Sequence, residues 1–317
     1  MAAQAKTVPS PEHSAGMRDV YERMLRASGI HGRFVTLGTG RRVHVVEAGD
    51  GAPVLHLHGN NTSALSHLML LQHATAVRSY LVDRPGMGLS DPSDFPRGKF
   101  RDFAVRFVDD VLDALGLEKA VLAGASGGGI YAMWYALEHP QRVRGLAMLG
   151  STPTLPGGHL PLPIRLMAMP VLGDVMTRAV KPGRRMLLRM MGSVGEADTI
   201  TRHADLLDSL VAGARDPVAV AANRAEFQAL ISPFGYRPAT RTGPEDLRRL
   251  SVPTLMIWGD HDPAVPIEAA RAVAQLIPDA RLEVLPAGHV PQLGHPEQVA
   301  ELLTAFARGL CRASEVR

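Results

Sequence analysis

Val-Leu-Ala-Gly-Ala-Ser-Gly-Gly-Gly-Ile-Tyr, residues Val121 to Tyr131, decides the fold, because it joins a strand, a sharp turn and a helix start around one hydroxyl. Ala120 to Ala123 is an apolar run with the length of a buried strand, and Ile130 to His139 is a helix-length apolar segment that Pro140 ends. Between them lies G-x-S-x-G, as Gly124, Ser126 and Gly128. A serine caught between strand and helix takes a strained backbone conformation that only small neighbours tolerate, and Gly124, Ala125, Gly127 and Gly128 are all small. The hydroxyl is then held out at the carboxyl edge of a sheet. It also stands at a helix N-terminus, where unpaired N–H groups and the positive end of the dipole favour a developing oxyanion. A nucleotide loop does not fit, since no Lys-Ser or Lys-Thr follows the glycines and G-x-G-x-x-G is absent.

Upstream, Arg33 to Leu37 and Arg42 to Ala48 read as a hairpin-like pair of strands, followed by short apolar strands at Pro53 to Leu57 and Ser79 to Asp83. Helix-length segments lie between the strands at Ala64 to Ala76 and at Phe100 to Leu115, the second with apolar residues at helical spacing. Downstream, Val143 to Leu149, Pro253 to Trp258 and Arg281 to Leu285 are strands, with helices at Ile267 to Ile277 and Pro296 to Gly309. Strands alternating with helices imply right-handed crossovers and a mostly parallel sheet flanked by helices. Met17 to Ala27 predicts a helix packed outside the main fold, after a disordered leader over residues 1–16. The expected division is 1–30 leader and helix, 31–151 with 246–317 the α/β core, and 152–245 a helical cap inserted after the sixth strand.

That insertion is rich in proline and methionine and shows no convincing strand. Its methionines, among them Met167, Met176, Met186 and Met191, read as cap core. Arg165, Arg178, Lys181, Arg184, Arg185 and Arg189 read as a solvated outer face, with the apolar side turned toward the serine; docking on a lipid surface is the competing reading. A net charge of +3 with no sustained basic tract excludes nucleic acid as the expected partner. Cys311 is the only cysteine, so neither an intrachain disulfide nor a cysteine zinc site can form, and the cytoplasm is the expected compartment. Residues 1–16 carry no apolar signal core, and no later stretch offers about 18 uninterrupted apolar residues. No membrane span, cofactor or metal is expected, and the sequence does not give the oligomeric state.

A serine hydroxyl needs a base in contact, and that base needs a carboxylate to orient it. Asp262, in Gly259-Asp-His-Asp-Pro-Ala-Val-Pro266, follows one strand's carboxyl end, and His289, in Ala287-Gly-His-Val-Pro291, follows the next. Both reach the edge where Ser126 stands. Asp260, His261 and Asp262 cluster, but the spacing lacks a second histidine or a cysteine pair for zinc.

With these motifs in chain order Ser126, Asp262, His289, the chain resembles the α/β-hydrolase fold over about residues 34–150 and 250–309. His58-Gly59 resembles that family's oxyanion loop, Asp83 to Ser90 its D-x-x-G-x-G-x-S turn, and Gly259 to Pro266 its acid motif. The resemblance implies that Asn60 and Gly127 donate oxyanion-hole N–H groups and that Asp262, rather than Asp260, is the acid. The residue after Asn60, often proline in relatives, is Asn61 here. His58 to Ser63 also resembles the oxyanion loop of haloalkane dehalogenases, but those enzymes and epoxide hydrolases carry an aspartate followed by a bulky residue where this chain has Ser126 and Gly127. The leading expectation is therefore a serine esterase acting on a small to medium hydrophobic ester, thioester or lactone through an acyl-enzyme. Alternatives with the same residues are a carbon–carbon bond hydrolase, an acyltransferase or a cofactor-free perhydrolase, and a non-catalytic small-molecule binding protein keeps the scaffold alone.

Overall fold

The computed structural model describes residues 12–74, 76–96, 98–179 and 182–315. Eight strands form one sheet in the order β1-β2-β4-β3-β5-β6-β9-β10. They are β1 (Gly32–Thr36), β2 (Arg42–Ala48), β3 (Ala52–Leu57), β4 (Val77–Val82), β5 (Ala120–Ala125), β6 (Val143–Leu149), β9 (Thr254–Gly259) and β10 (Ala280–Leu285). β2 runs antiparallel to both β1 and β4, and the remaining neighbours are parallel. With helices on both faces, a central strand has no wet side, and every residue of β5 is buried.

One face carries α2 (Phe100–Ala114), α3 (Gly127–Glu138) and α11 (Ile267–Leu276), whose Phe107, Trp134 and Val273 share a core cluster with Leu57 and Met256. The other face carries α13 (Pro296–Glu315), packed through Val299 and Leu303 against Val121 and Ile257. The chain leaves β3 for β4 on one side, then returns to place β5 on the other. That reversal lies between the carboxyl ends of β3 and β5, the crevice where open α/β sheets bind ligands.

The segment expected as a helix at Ala64 to Ala76 is a 3-10 helix over Ala64–Gln72 instead. The N-terminal helix, α1 (Ala15–Ser28), is no outlier to the fold. Its Met17, Val20 and Tyr21 are buried against Val46, Leu65 and Leu81, and Tyr21 Oη donates to Asp83 at 2.5 Å. The leader expectation also fails for residues 12–16: His13 is buried, and Ser14 caps α1 by accepting from Met17 N–H. Residues 1–11 lie outside the described residues.

Between β6 and β9 run α4 (Leu162–Met167), α5 (Pro170–Ala179), α6 (Arg184–Ser193), α7 (Ala197–Arg202), α8 (Ala204–Arg215), α9 (Pro217–Leu230) and α10 (Pro244–Arg249). A two-residue ribbon, β7 (Ile231–Ser232) with β8 (Gly235–Tyr236), sits among them and was not legible in the sequence. Arg184, Arg185 and Arg189 are exposed as expected of an outer face, but so are Leu162, Val171, Val175 and Met186. Lys181 lies outside the described residues, as do the side chains of Met167, Met176 and Arg178. No helix is long and apolar enough to cross a membrane among the described residues.

Candidate active site

Ser126 sits between β5 and α3 at φ 48° and ψ −115°, the left-handed side of the map that a side chain enters only when its surroundings impose it. The neighbours make this possible by having no side chains. A Cβ on Gly128 would collide with the carbonyl oxygen of Leu57, and one on Gly127 would collide with the Asn60 side chain. Ser126 Oγ lies 2.9 Å from His289 Nε2, and His289 Nδ1 lies 3.1 Å from both carboxylate oxygens of Asp262. Asp262 fixes the proton on Nδ1, which leaves Nε2 to accept the serine hydroxyl proton.

Asp262 is buried yet held anionic. Burial pushes its carboxyl up, but the hydrogen bond and charge of His289, with Ala264 N–H at 2.8 Å and the Ser151 side chain, outweigh that and hold it below the ordinary value; Ser151 N–H also donates to it at 3.2 Å. Asp260 turns elsewhere, to His261 Nδ1 at 2.6 Å and Ala287 N–H at 3.2 Å. Sequence reasoning missed Ser151, whose Oγ stands 3.0 Å from His289 Nδ1. The available signal was its place one residue beyond Gly150 at the end of β6, between the strands that carry Ser126 and Asp262.

Asn60 and Gly127 meet on the other side of Ser126. Gly127 is the first residue of α3, so its N–H has no partner within the helix. Asn60 follows β3, and its N–H lies 3.3 Å from where a Cβ on Gly127 would stand. His58 shapes this loop from beneath. Its Nε2 accepts the Arg84 N–H at 3.0 Å, so Nδ1 carries the proton and donates to the Gly59 carbonyl at 2.8 Å. Burial first, then the Arg84 charge, lowers His58 to about 3, so the ring is neutral and this tautomer is fixed.

The inserted helix α9 grips the same loop. Asn223 Nδ2 donates to Ala219 O at 2.9 Å, which turns Asn223 Oδ1 toward the Asn61 N–H at 2.8 Å. Asn61 sits at φ 56°, a conformation closed to proline, which would also lack that N–H. One turn further along α9, Glu226 pairs with Arg84 at 2.5 Å, both side chains fully buried, and the guanidinium lies 5.0 Å from the Tyr131 ring centroid. Neither Asn223 nor Glu226 stood out in the sequence, because the facing of an inserted helix is set by its docking. Among the described residues no group of three histidine, cysteine or acidic side chains is placed to hold a metal ion.

This arrangement at the reversal of a mostly parallel sheet defines a protein of the α/β-hydrolase fold. A model of the alpha/beta hydrolase family matches residues 54–302, and the chain belongs to that family. It is 30% identical, over 85% of its length and 92% of the relative's, to the 2-hydroxy-6-oxononadienedioate/2-hydroxy-6-oxononatrienedioate hydrolase of Paraburkholderia phymatum. The enzyme of the same name from Burkholderia vietnamiensis is 31% identical over 86% of this chain and 92% of its own. Among solved structures, the carboxylesterase CesB of Bacillus subtilis superposes with a TM-score of 0.73 at 23% identity, covering 92% of this chain and 97% of that one. With hydrolases as its relatives, the chain is a hydrolase of this fold.

Proposed function

We propose that the chain is a serine hydrolase that breaks a carbon–carbon bond next to a ketone, in a substrate of the vinylogous diketone type. The single observation that carries the chemistry is the relay of Ser126 Oγ, His289 Nε2 and Nδ1, and Asp262, at 2.9 and 3.1 Å. The choice of bond rests on the relatives, whose names describe hydrolases of 2-hydroxy-6-oxo dienedioates. That support favours the carbon–carbon alternative over the ester cleavage expected first from the sequence.

In this reading Ser126 Oγ adds to the ketone carbon while its proton passes to His289 Nε2, and Asp262 stabilises the imidazolium. The new oxyanion faces the N–H groups of Asn60 and Gly127. Collapse of the adduct breaks the carbon–carbon bond. The electron pair leaves on the carbon conjugated to the distant carbonyl, where it is delocalised, and His289 returns the proton to that fragment. Water, deprotonated by His289, then cleaves the acyl-enzyme. The step requires the keto tautomer of such a substrate, in which a proton has moved to the carbon beside the attacked ketone; that carbon's electron pair is then conjugated through the alkene with the distant carbonyl, and this delocalisation stands in for the leaving oxygen of an ester. Residues 152–245 act as a cap over the site, a small molecule is the partner, and the single Cys311 supports a cytoplasmic setting.

The test compares purified protein on 2-hydroxy-6-oxononadienedioate and on 4-nitrophenyl butyrate, with Ser126→Ala as control. The expected result is a kcat/KM at least tenfold higher on the dienedioate, and loss on the order of 10⁶ in kcat for the variant. A preference for the nitrophenyl ester would return the reading to an esterase, and retention of more than about a tenth of the activity by Ser126→Ala would remove Ser126 as nucleophile.

A further inference from the structure

His289 is carried on a loop between β10 and α12 (Pro291–Gly294), and that loop is fastened as much to the inserted helices as to the sheet. Helix α6 ends in a complete Schellman motif. Gly195 is left-handed at φ 81°, its N–H donates to Gly192 O at 3.1 Å, and the Glu196 N–H reaches back to Met191 O at 2.8 Å. The turn so formed comes into backbone contact with the histidine loop. A Cβ on Gly195 would stand 2.8 Å from the Gly288 Cα, and a Cβ on Gly288 would collide with the Val194 carbonyl. Two facing glycines leave room for two consecutive hydrogen bonds: His289 N–H donates to Val194 O at 2.9 Å, and Val290 N–H donates to Glu196 Oε1 at 3.1 Å.

Glu196 is the unusual member of this contact. The residue is 1% exposed and, among the described residues, no arginine or lysine pairs with it; the titratable side chains that act on it are His289 and His295. Burial raises the carboxyl above its ordinary value, while Val290 N–H, the Thr199 hydroxyl and the two histidines draw it back down. A carboxylate buried without arginine or lysine is stabilised by any positive charge that appears beside it. That charge appears when Ser126 Oγ gives its proton to His289. Around the contact, Leu187, Met191 and Leu293 form one apolar cluster with Val194 and Val290 packed against it, which excludes water from the junction.

We propose that Glu196 is a positioning residue for His289: it holds the histidine loop through the Val290 N–H and adds its negative charge to that of Asp262 in stabilising the imidazolium, so that the inserted helices complete the base. The proposal rests on the reading of His289 as the base of Ser126. It adds a second carboxylate, supplied by a segment far from the relay in sequence, to the one that bonds Nδ1. Because Glu196 bonds a backbone N–H and not the ring, it leaves the tautomer to Asp262 and acts through loop position and charge.

The experiment measures the rate of covalent labelling of Ser126 by a fluorophosphonate across pH 5 to 9, in wild type and in Glu196→Gln, Glu196→Asp and His289→Ala, with thermal midpoints for each. Glu196→Gln keeps the shape and an acceptor for Val290 but removes the charge. It is expected to lower the plateau rate about tenfold and to move the acid limb to lower pH by about half a unit, as loss of one nearby anion disfavours the imidazolium. Glu196→Asp, which keeps the charge, is expected to leave the acid limb in place. An acid limb identical in wild type and Glu196→Gln, with only the thermal midpoint lowered, would overturn the proposal and leave Glu196 a structural contact. Labelling that His289→Ala does not slow would overturn the reading of His289 itself, and the proposal with it, an outcome distinct from failure at Glu196 alone.

Discussion

The sheet and the inserted helices both reach Ser126, but they do so by different physics. From the sheet come groups whose positions follow from backbone constraint: a serine forced to φ 48°, glycines where an added Cβ would meet neighbouring atoms, and loops that begin where a strand ends. From the insertion come side chains, Asn223, Glu226 and Glu196, that lie at the ends of long sequence separations and act on the loops rather than on the reacting atoms. Reactive groups are thus built on the part of the molecule with least freedom. The side chains that bond the surrounding loops sit on the part that can be rebuilt without disturbing the sheet.

Substitutions can break this division, and the largest effect belongs to the sheet side. Asp262→Asn is expected to lower kcat by roughly 10⁴, because an amide presents a donor where Nδ1–H needs an acceptor and so favours the wrong tautomer. Asp260→Asn, whose partners are His261 and the Ala287 N–H, is expected to cost less than about tenfold, as a partly exposed pair contributes little. Steady-state kinetics of the two variants on one substrate makes the comparison. The reverse ranking would mean that the sheet delivers a different aspartate to His289.

The next effect belongs to the insertion. Asn223→Ala removes the acceptor of the Asn61 N–H and leaves a left-handed residue with nothing to hold it. If α9 aims the oxyanion loop, kcat falls about tenfold to a hundredfold with KM little changed, less than deletion of an oxyanion donor because the Asn60 N–H is displaced and not removed. A fall in thermal midpoint with kcat intact would reduce α9 to a lid without a part in alignment.

The same division explains what the sequence disclosed. G-x-S-x-G, the aspartate motif and Gly-His each follow a strand, so the order of strands alone brings Ser126, Asp262 and His289 to one edge, and a local pattern was enough to name them. Ser151 escaped notice because a serine after a strand has no motif of its own. The insertion was legible as helical, but a helix docked on another surface can turn any stripe inward, and no spacing marks Asn223 or Glu196. Exposed Val171 and Met186 make the point from the other side, since their apolar character did not bury them. Residues 12–16, which composition placed with the leader, are fixed by one buried histidine.

That histidine gives the smallest effect and the finest test of how the insertion is tied down. His13 Nδ1 lies 3.0 Å from Asp216 Oδ1 and Nε2 lies 2.9 Å from the Ser90 carbonyl; both partners only accept, so both ring nitrogens carry protons and His13 is an imidazolium. Asp216 also accepts Ser14 N–H at 2.6 Å and caps α9 through Ala219 N–H at 2.8 Å, so one buried carboxylate joins the start of α1 to the helix whose Asn223 holds the Asn61 N–H. Burial works against the charge on His13, but the Asp216 hydrogen bond and the Ser90 carbonyl prevail and raise it above its ordinary 6.5. For Asp216, burial is likewise outweighed, chiefly by His13, and the carboxyl is held down to about 2 from 3.8. A raised histidine stabilises the fold fully below 6.5 and loses that contribution as pH rises through its folded value; a depressed aspartate stabilises it above 3.8 and loses that contribution as pH falls toward about 2. The clasp is therefore strongest between about pH 4 and 6.5. Thermal midpoints of wild type and His13→Ala are expected to differ by about 2 °C or more at pH 5.5, and the difference is expected to narrow as the pH rises through the folded value of His13. A constant difference across that range would show that His13 contributes by packing alone, and that the insertion is held by α8 and α9 without help from the charge.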